Sequence, residues 1–278
     1  MPSIVGVLAT AAPGAGNNDI GSNEIAKRKL MQSDGSQRRQ FDTFLPSVPV
    51  TVERQPSIPK IGDVLSPGVA RANLAVSNER PDGTPGWREQ HSHETVLQQH
   101  VVYWDPDGDG IIYPWDIYNG CRAWGWNMLL SLLVVVVIAP AMSYPTFPKG
   151  KLLPSPFLPI YIHNIHKDKH GSSSQTYDSE GRFRPQQFED LFAKYDLNGK
   201  GGLDLYDLAR MHKGQRLLMD PFGWSANFFE WVALYLLVWP EDGIIRKEDV
   251  RATFDGSIFQ KKADEYAEKK KKQGGKAA

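Results

Sequence analysis

The sequence predicts a mainly α-helical protein: an EF-hand pair with a degenerate second loop, an apolar helical arm with a proline knot, and a disordered N-terminal region. Three observations predict it. The stretch Asp105 to Asp116 has carboxylates at positions 1, 3, 5 and 12 of a twelve-residue loop, with glycine at position 6. A run without charge extends from Arg122 to Lys149 and ends among prolines. Residues 1 to 90 are rich in Pro, Gly, Ser and Asn and keep no sustained helical or strand period.

A chain of 278 residues has room for one large or two small domains. Lys plus Arg equals Asp plus Glu, 32 each, so the charge balance points to no nucleic-acid partner. The lone Cys121 excludes an intrachain disulfide framework and a thiolate cluster, and it fits a reducing compartment. Met1 to Leu8 lack a basic segment followed by a long apolar core, so no secretory signal is expected.

Pro81-Asp-Gly-Thr-Pro-Gly86 is a double turn signal at the entrance to the folded part. From Glu94 to Trp104, Val96, His100 and Trp104 recur at i, i+4 and i+8, with Leu97 and Val101 beside them. This predicts the entering helix of the EF-hand, with His100 on its core side. Loop position 6, Gly110, must turn sharply, and glycine tolerates φ > 0. The predicted calcium ligands are Asp105, Asp107, Asp109, the Ile111 backbone carbonyl and Asp116. Asp116 stands where a bidentate Glu is usual; its shorter reach moves the site towards magnesium-like behaviour. Pro114 falls in the first turn of the exiting helix, where a missing N–H costs little.

The apolar stretch Trp124 to Ala139 is interrupted by Asn127 and Ser131 and is followed by Pro140, so it is marginal against the roughly 20 residues a membrane span needs. Pro148, Pro154, Pro156 and Pro159 then fix turns, which predicts an arm that bends back into a lipid monolayer or one leaflet. Trp124 and Trp126 at its start suit a lipid–water interface; the alternative is a helix buried in a soluble core.

Arg184 to Lys194 reads as a helix with Phe188, Leu191 and Phe192 on one face. It leads into Asp196 to Asp207, the outline of a second EF-hand loop with Lys200 at ligand position 5. A lysine there repels a cation, so this loop is expected to pair with the first and to bind calcium poorly. Trp224 to Trp239 carries Glu230 as its single charged residue and reads as a core or interfacial helix. Glu241 to Glu248 resembles a further helix–turn–helix linker, and Lys269 to Lys272 form a basic tail.

A helix over residues 162 to 170 would set His163, His166 and His170 on one face. His166 and His170 at i, i+4 suit zinc, but no Glu follows His166 as the zinc-protease pattern requires. Haem ligation and acid–base chemistry are the other options for such histidines.

Taken together, Asp-Gly-Asp-Gly-Ile-Ile-Tyr-Pro-Trp (107 to 115), the apolar arm, Pro154-Ser-Pro156 and Ile-His-Asn-Ile-His-Lys-Asp-Lys-His-Gly (162 to 171) resemble the caleosins, the calcium-binding peroxygenases of lipid droplets. The likeness continues through Tyr177-Asp-Ser-Glu-Gly-Arg182-Phe, Phe222-Gly-Trp224, Glu230-Trp231, Leu234 to Leu237 and Phe254-Asp-Gly-Ser257, and spans about residues 81 to 262. The resemblance implies a haem b and Ca2+ protein that takes oxygen from a fatty-acid hydroperoxide and transfers it to an unsaturated fatty acid. By motif, its haem-associated and catalytic histidines fall on His100 and His170. It also implies a lipid-droplet monolayer or endoplasmic reticulum membrane as partner, with the EF-hand facing the cytosol; homo-oligomerisation is left open. The resulting division is a largely disordered region over 1–90, a domain over 91–262 and a basic tail over 263–278. The domain comprises an EF-hand (95–122), arm and proline knot (123–160), and histidine segment with C-terminal helices (161–262). Two rival readings are a non-enzymatic, calcium-dependent droplet coat protein and a soluble calcium sensor with a hydrophobic groove. Thiolate ligation would have to use Cys121, which carries no haem-thiolate signature.

Overall fold

The computed structural model describes residues 62–150, 153 and 155–274. Residues 1–61, Pro154 of the proline knot and the last four residues of the tail lie outside them. The described residues hold nine α-helices, one 3-10 helix and two small two-stranded sheets. The order is α1 (Trp87–Gln90), α2 (Val96–Val102), β1 (Ile111–Ile112), α3 (Pro114–Ala123), α4 (Met128–Ser143), β2 (Ile160–Tyr161), a 3-10 helix (Ile162–Asp168), α5 (Pro185–Tyr195), β3 (Gly202–Leu203), α6 (Leu205–Gly214), α7 (Pro221–Val238), β4 (Ile245–Arg246), α8 (Lys247–Phe254) and α9 (Ser257–Gly274).

The acidic loop sits between α2 and α3, as its spacing predicts, but the two EF-hand-like loops do not pair with each other. β1, from the first loop, runs antiparallel to β2, with Ile111 opposite Tyr161 and Ile112 opposite Ile160. β3, from the second loop, pairs instead with β4 in the 241–248 linker, Leu203 opposite Ile245. Register explains the choice. Each strand is two residues long and buries a branched aliphatic residue, and Ile160 and Ile245 supply the apolar partners of Ile112 and Leu203.

Part of the region expected to be disordered is built into the fold. Residues 62 to 90 lack helical period because they are held by individual bonds to distant elements. Arg71 bridges to Phe183, the Ala72 carbonyl accepts from the Val96 N–H, and the buried Arg251 guanidinium donates to the Ala75 carbonyl at 3.0 Å. Val64, Ala75 and Val76 are buried.

The apolar arm is a helix, α4, that folds back onto the domain against α3 and β2. It runs through Pro140 to Ser143. Proline removes one hydrogen bond from a helix interior; tertiary ties secure the next turn. Ser143 Oγ donates to the Pro159 carbonyl, the Tyr161 N–H donates to Thr146 Oγ1, and Asn164 Nδ2 donates to the Thr146 carbonyl at 2.8 Å. No described helix is long and apolar enough to cross a membrane. One face of α4 packs inward through Val134, Val135, Ile138, Ala139 and Met142, while Leu129, Leu132, Leu133 and Val136 are exposed. Of the described knot prolines, Pro159 is buried, Pro148 half-buried and Pro156 exposed.

The two largest of four apolar clusters among the described residues frame the candidate site. One gathers Phe183, Phe188, Leu191, Phe192, Leu203 and Ile245 around α5 to α8. The other gathers Leu97, Val101, Ile112, Ile117, Cys121, Ile160 and Ile165 around the acidic loop. The candidate site lies where they meet.

Candidate functional site

α2 begins at a capping box: Thr95 Oγ1 accepts the Gln98 N–H, and Gln98 Oε1 accepts the Thr95 N–H. This fixes the register that places His100 one turn later. Its Nδ1 lies 2.6 Å from the Thr253 carbonyl of α8. A carbonyl only accepts, so Nδ1 carries the proton and Nε2 keeps the lone pair. Burial pushes the imidazole below its ordinary pKa, against the Thr253 bond and the charges of Glu230 and Asp255. His100 is therefore a neutral imidazole near pH 7 with its tautomer set. The backbone approach is close: a Cβ on Gly256 would lie 2.4 Å from the Gln99 carbonyl and 2.9 Å from His100 Cα, and Gly256 has φ 76.

His100 borders a cavity of about 310 Å³ between the two apolar clusters. Trp104, Trp124, Val134, Ile138, Leu234 and Phe259 supply apolar wall, from the turn after α2, the α3–α4 turn, α4, α7 and α9. At the polar end lie Asp168, Lys169, His170 and Glu230.

His170 follows the 3-10 helix in extended backbone. The predicted α-helix would have grouped three histidines. Instead the tighter turn stacks Ile162 and Ile165 into the core, leaves His163 exposed and His166 half-buried, and brings only His170 to the cavity. Its neighbours are tied down: Lys169 Nζ donates to the Tyr177 and Asp178 carbonyls, and Asp220 Oδ2 accepts from the Ser172 N–H and hydroxyl. His170 Nε2 stands 3.3 Å from both oxygens of Glu230, and its side chain is only 7% exposed. Burial alone would lower its pKa, but the Glu230 hydrogen bond and charge, with Asp220 and Asp168, outweigh it and raise the imidazole. Asp168 is pushed up to about 7, by burial first and by Glu230 second, against the pull of His170. The two histidines thus sit in opposite electrostatic settings on one cavity.

Neither Glu230 nor Asp168 is singled out as a site residue from the sequence. Glu230 had a signal, being the lone acid in an apolar helix. Asp168 had none beyond its place among the histidines.

In the acidic loop, Asp105 Oδ2 accepts the Gly110 N–H at 2.8 Å, and Asp109 Oδ1 accepts the Ile111 N–H at 2.7 Å. Gly110 has φ 81 and nothing within 4 Å of an added Cβ, so its requirement is backbone angle, not space. Among the described residues, one group of metal-capable side chains converges: Asp105, Asp107 and Asp109, with donor atoms within 4.8 Å of one another. Burial, and the neighbouring Asp109 carboxylate, raise the Asp105 pKa, and Asp116 is raised by burial and by Asp107 and Asp109. Such mutual repulsion is what a hard cation relieves. Asp116 is outside the group, and its Oδ2 accepts the Tyr113 N–H.

In the second loop the place of a cation is filled from within. Lys200 Nζ donates to Asp204 Oδ2 and Asp207 Oδ2, each at 2.5 Å. The lysine both repels an ion and neutralises the carboxylates that would bind one. No zinc-type group forms at His166 and His170 among the described residues. Cys121 does not line the cavity, and burial pushes its thiol up to about 12.

An acidic loop between two helices beside a largely apolar cavity with two histidines defines the class: a helical protein whose histidine-bearing cavity adjoins an acidic loop. The chain belongs to the caleosin-related family, whose model matches residues 92–263. Curated relatives agree. It is 40% identical over 229 residues to a peroxygenase of Lilium longiflorum, covering 82% of this chain and 94% of the relative. It is 39% identical over 168 residues to a probable peroxygenase 4 of Arabidopsis thaliana, covering 60% and 85%. It is 31% identical to a probable inactive peroxygenase-like protein of Arabidopsis thaliana, over 56% of this chain and 75% of that one. No solved structure matches it.

The residues present fit both groups that this family implies. The Asp105–Asp107–Asp109 donors suit a hard cation. Among the described residues His100 Nε2 has no hydrogen-bond partner, and a neutral imidazole with Nδ1–H on a backbone carbonyl is an iron-ligand arrangement.

Proposed function

We propose that this protein is a calcium-binding haem peroxygenase that uses fatty-acid hydroperoxides to epoxidise or hydroxylate unsaturated lipids at a lipid-droplet or endoplasmic-reticulum surface. The observation that carries the reading is that His100 and His170 line one apolar cavity while differing in protonation setting. The peroxygenase names of the lily and Arabidopsis relatives support it. Haem, when bound, supplies cleavage of the hydroperoxide O–O bond and oxygen transfer.

In this reading His100 holds the iron through Nε2, oriented by the Thr253 carbonyl. His170, charged against Glu230, holds a proton at the polar end of the cavity. The tryptophan and aliphatic wall excludes water and aligns an acyl chain. Asp105, Asp107 and Asp109, with the Ile111 carbonyl and Asp116, would hold calcium just beyond the end of α2. The exposed α4 residues and Pro156 rest on the lipid surface, with Pro148 and Pro159 turning the chain behind them and the acidic loop towards the cytosol.

The test is haem reconstitution of the full chain followed by a hydroperoxide-plus-oleate assay with and without calcium. A Soret band lost in His100→Ala, with turnover lost in both His100→Ala and His170→Ala, is the expected result. A colourless, hydroperoxide-inert protein rejects it. The exposed apolar face of α4 and the inactive relative favour the second reading, a non-enzymatic droplet coat protein.

A further inference from the structure

The polar end of the cavity contains two unmatched atoms. Asp168 Oδ2 and His170 Nδ1 are both buried, and both lack a hydrogen-bond partner among the described residues. Both residues line the same cavity. Buried polar atoms without partners are rare because desolvation is then uncompensated. The protein cannot relieve these two. The other nitrogen of His170 is held by Glu230, and the adjacent Lys169 ammonium is engaged by two backbone carbonyls. The other polar side chains of the lining are engaged as well, Ser174 with Thr176, Ser173 with Gln175 and Asn227 with Gln215, so the partner is left to whatever enters.

That partner must match a carboxyl oxygen and an imidazole nitrogen at once. A hydroxyl or hydroperoxyl group does so: it both donates and accepts, and so satisfies either protonation form of each residue. A carboxylate head is a poorer match, since the cavity end already carries Asp168 and Glu230 and its lysine is engaged.

We propose that Asp168 is a substrate-binding residue which, with His170, hydrogen-bonds the –OOH or –OH group of an oxygenated acyl chain and so holds a neutral lipid hydroperoxide at this end of the cavity. The proposal rests on the peroxygenase reading and names its substrate contact. The acyl chain lies along the Trp104, Trp124 and Val134 wall.

The test uses the full chain and tryptophan fluorescence, because Trp104, Trp124 and Trp126 line the cavity. The probes are the methyl ester of a hydroxyoctadecadienoic acid, its O-methyl ether, and methyl linoleate. Wild type is expected to bind the hydroxylated ester about tenfold tighter than methyl linoleate, the size of one buried hydrogen bond, and the ether no tighter than methyl linoleate. Asp168→Ala is expected to abolish the preference while changing methyl linoleate affinity by less than about twofold. No preference in wild type, an ether that binds as well as the alcohol, or an Asp168→Ala that weakens all three probes equally overturns the proposal. The ether comparison needs no variant, so a misfolded Asp168→Ala does not shield it. Peroxygenase turnover on the same preparation separates the two ideas. Turnover without preference removes the subsite; preference without turnover removes the peroxygenase reading.

Discussion

Replacing Asp168 by Asn should make stability depend less on pH, in a direction the structure fixes. The folded-state carboxyl is raised from 3.8 to about 7, chiefly by burial. A group raised in this way contributes its full relative stability below the unfolded value, and loses it as pH rises through the folded one. The raise of about 3 units corresponds to roughly 4 kcal/mol by linkage, at about 1.36 kcal/mol per unit. Partial solvent access reduces the expectation to about 2–4 kcal/mol. Asn has the same shape and no charge. Asp168→Asn should therefore match wild type near pH 4 and exceed it by about 2–4 kcal/mol near pH 8. Urea denaturation followed by tryptophan fluorescence at both pH values reads the difference. An identical stability difference at the two pH values would refute the assignment of Asp168 as a carboxyl that burial keeps protonated.

Lys200→Asp removes the internal cation from the second loop and restores a carboxylate at its fifth ligand position, so calorimetry should register one more calcium ion per chain than wild type; an unchanged stoichiometry counts against the lysine-for-ion reading. Arg251→Met leaves Asp255 buried without its guanidinium partner, 2.7 Å away, and should cost about 3–5 kcal/mol in thermal or urea unfolding. A loss below about 1 kcal/mol would mean that Asp255 finds other partners. Gly256→Ala combines φ 76 with a Cβ 2.4 Å from the Gln99 carbonyl, so it should lower stability by more than about 1 kcal/mol. It should also weaken haem uptake, because α2 must shift at His100; an unchanged melting temperature and unchanged uptake would refute that coupling.

Local features of the sequence were legible and long-range ones were not. The i, i+4 apolar period marked α2 and α5, and the carboxylate spacing located the acidic loop, because both depend on neighbours within a few residues. The lysine at ligand position 5 was legible in the second loop, but the pairing of its ammonium with Asp204 and Asp207 was not. The pairing of β1 with β2 joins residues about fifty apart in the chain, and two-residue strands carry no period that would announce it. The 3-10 path of residues 162 to 168 was hidden for a related reason: its spacing at i, i+3 is shared with an α-helix, and only the burial of Ile162 and Ile165 decides between them. The fold of residues 62 to 90 rests on single bonds to α8 and Phe183, which composition cannot reveal.

The unexpected strand pairing changes what the acidic loop can control. Had the two loops paired with each other, the first would have acted on one histidine only, through the end of α2. Instead, β1 is bonded to β2, which runs directly into the 3-10 helix and then His170, while the Gly110 carbonyl accepts the Ile162 N–H at 3.0 Å. His100 lies five residues before Asp105 on the other side. The loop is therefore in covalent or ladder contact with both histidine-bearing segments, and its backbone angles set the separation between them. A cation among Asp105, Asp107 and Asp109 would relieve the repulsion that, after burial, raises Asp105, and so favour the loop's observed path. Calcium removal should then disturb both ends of the cavity at once, whereas His100→Ala or His170→Ala disturbs one.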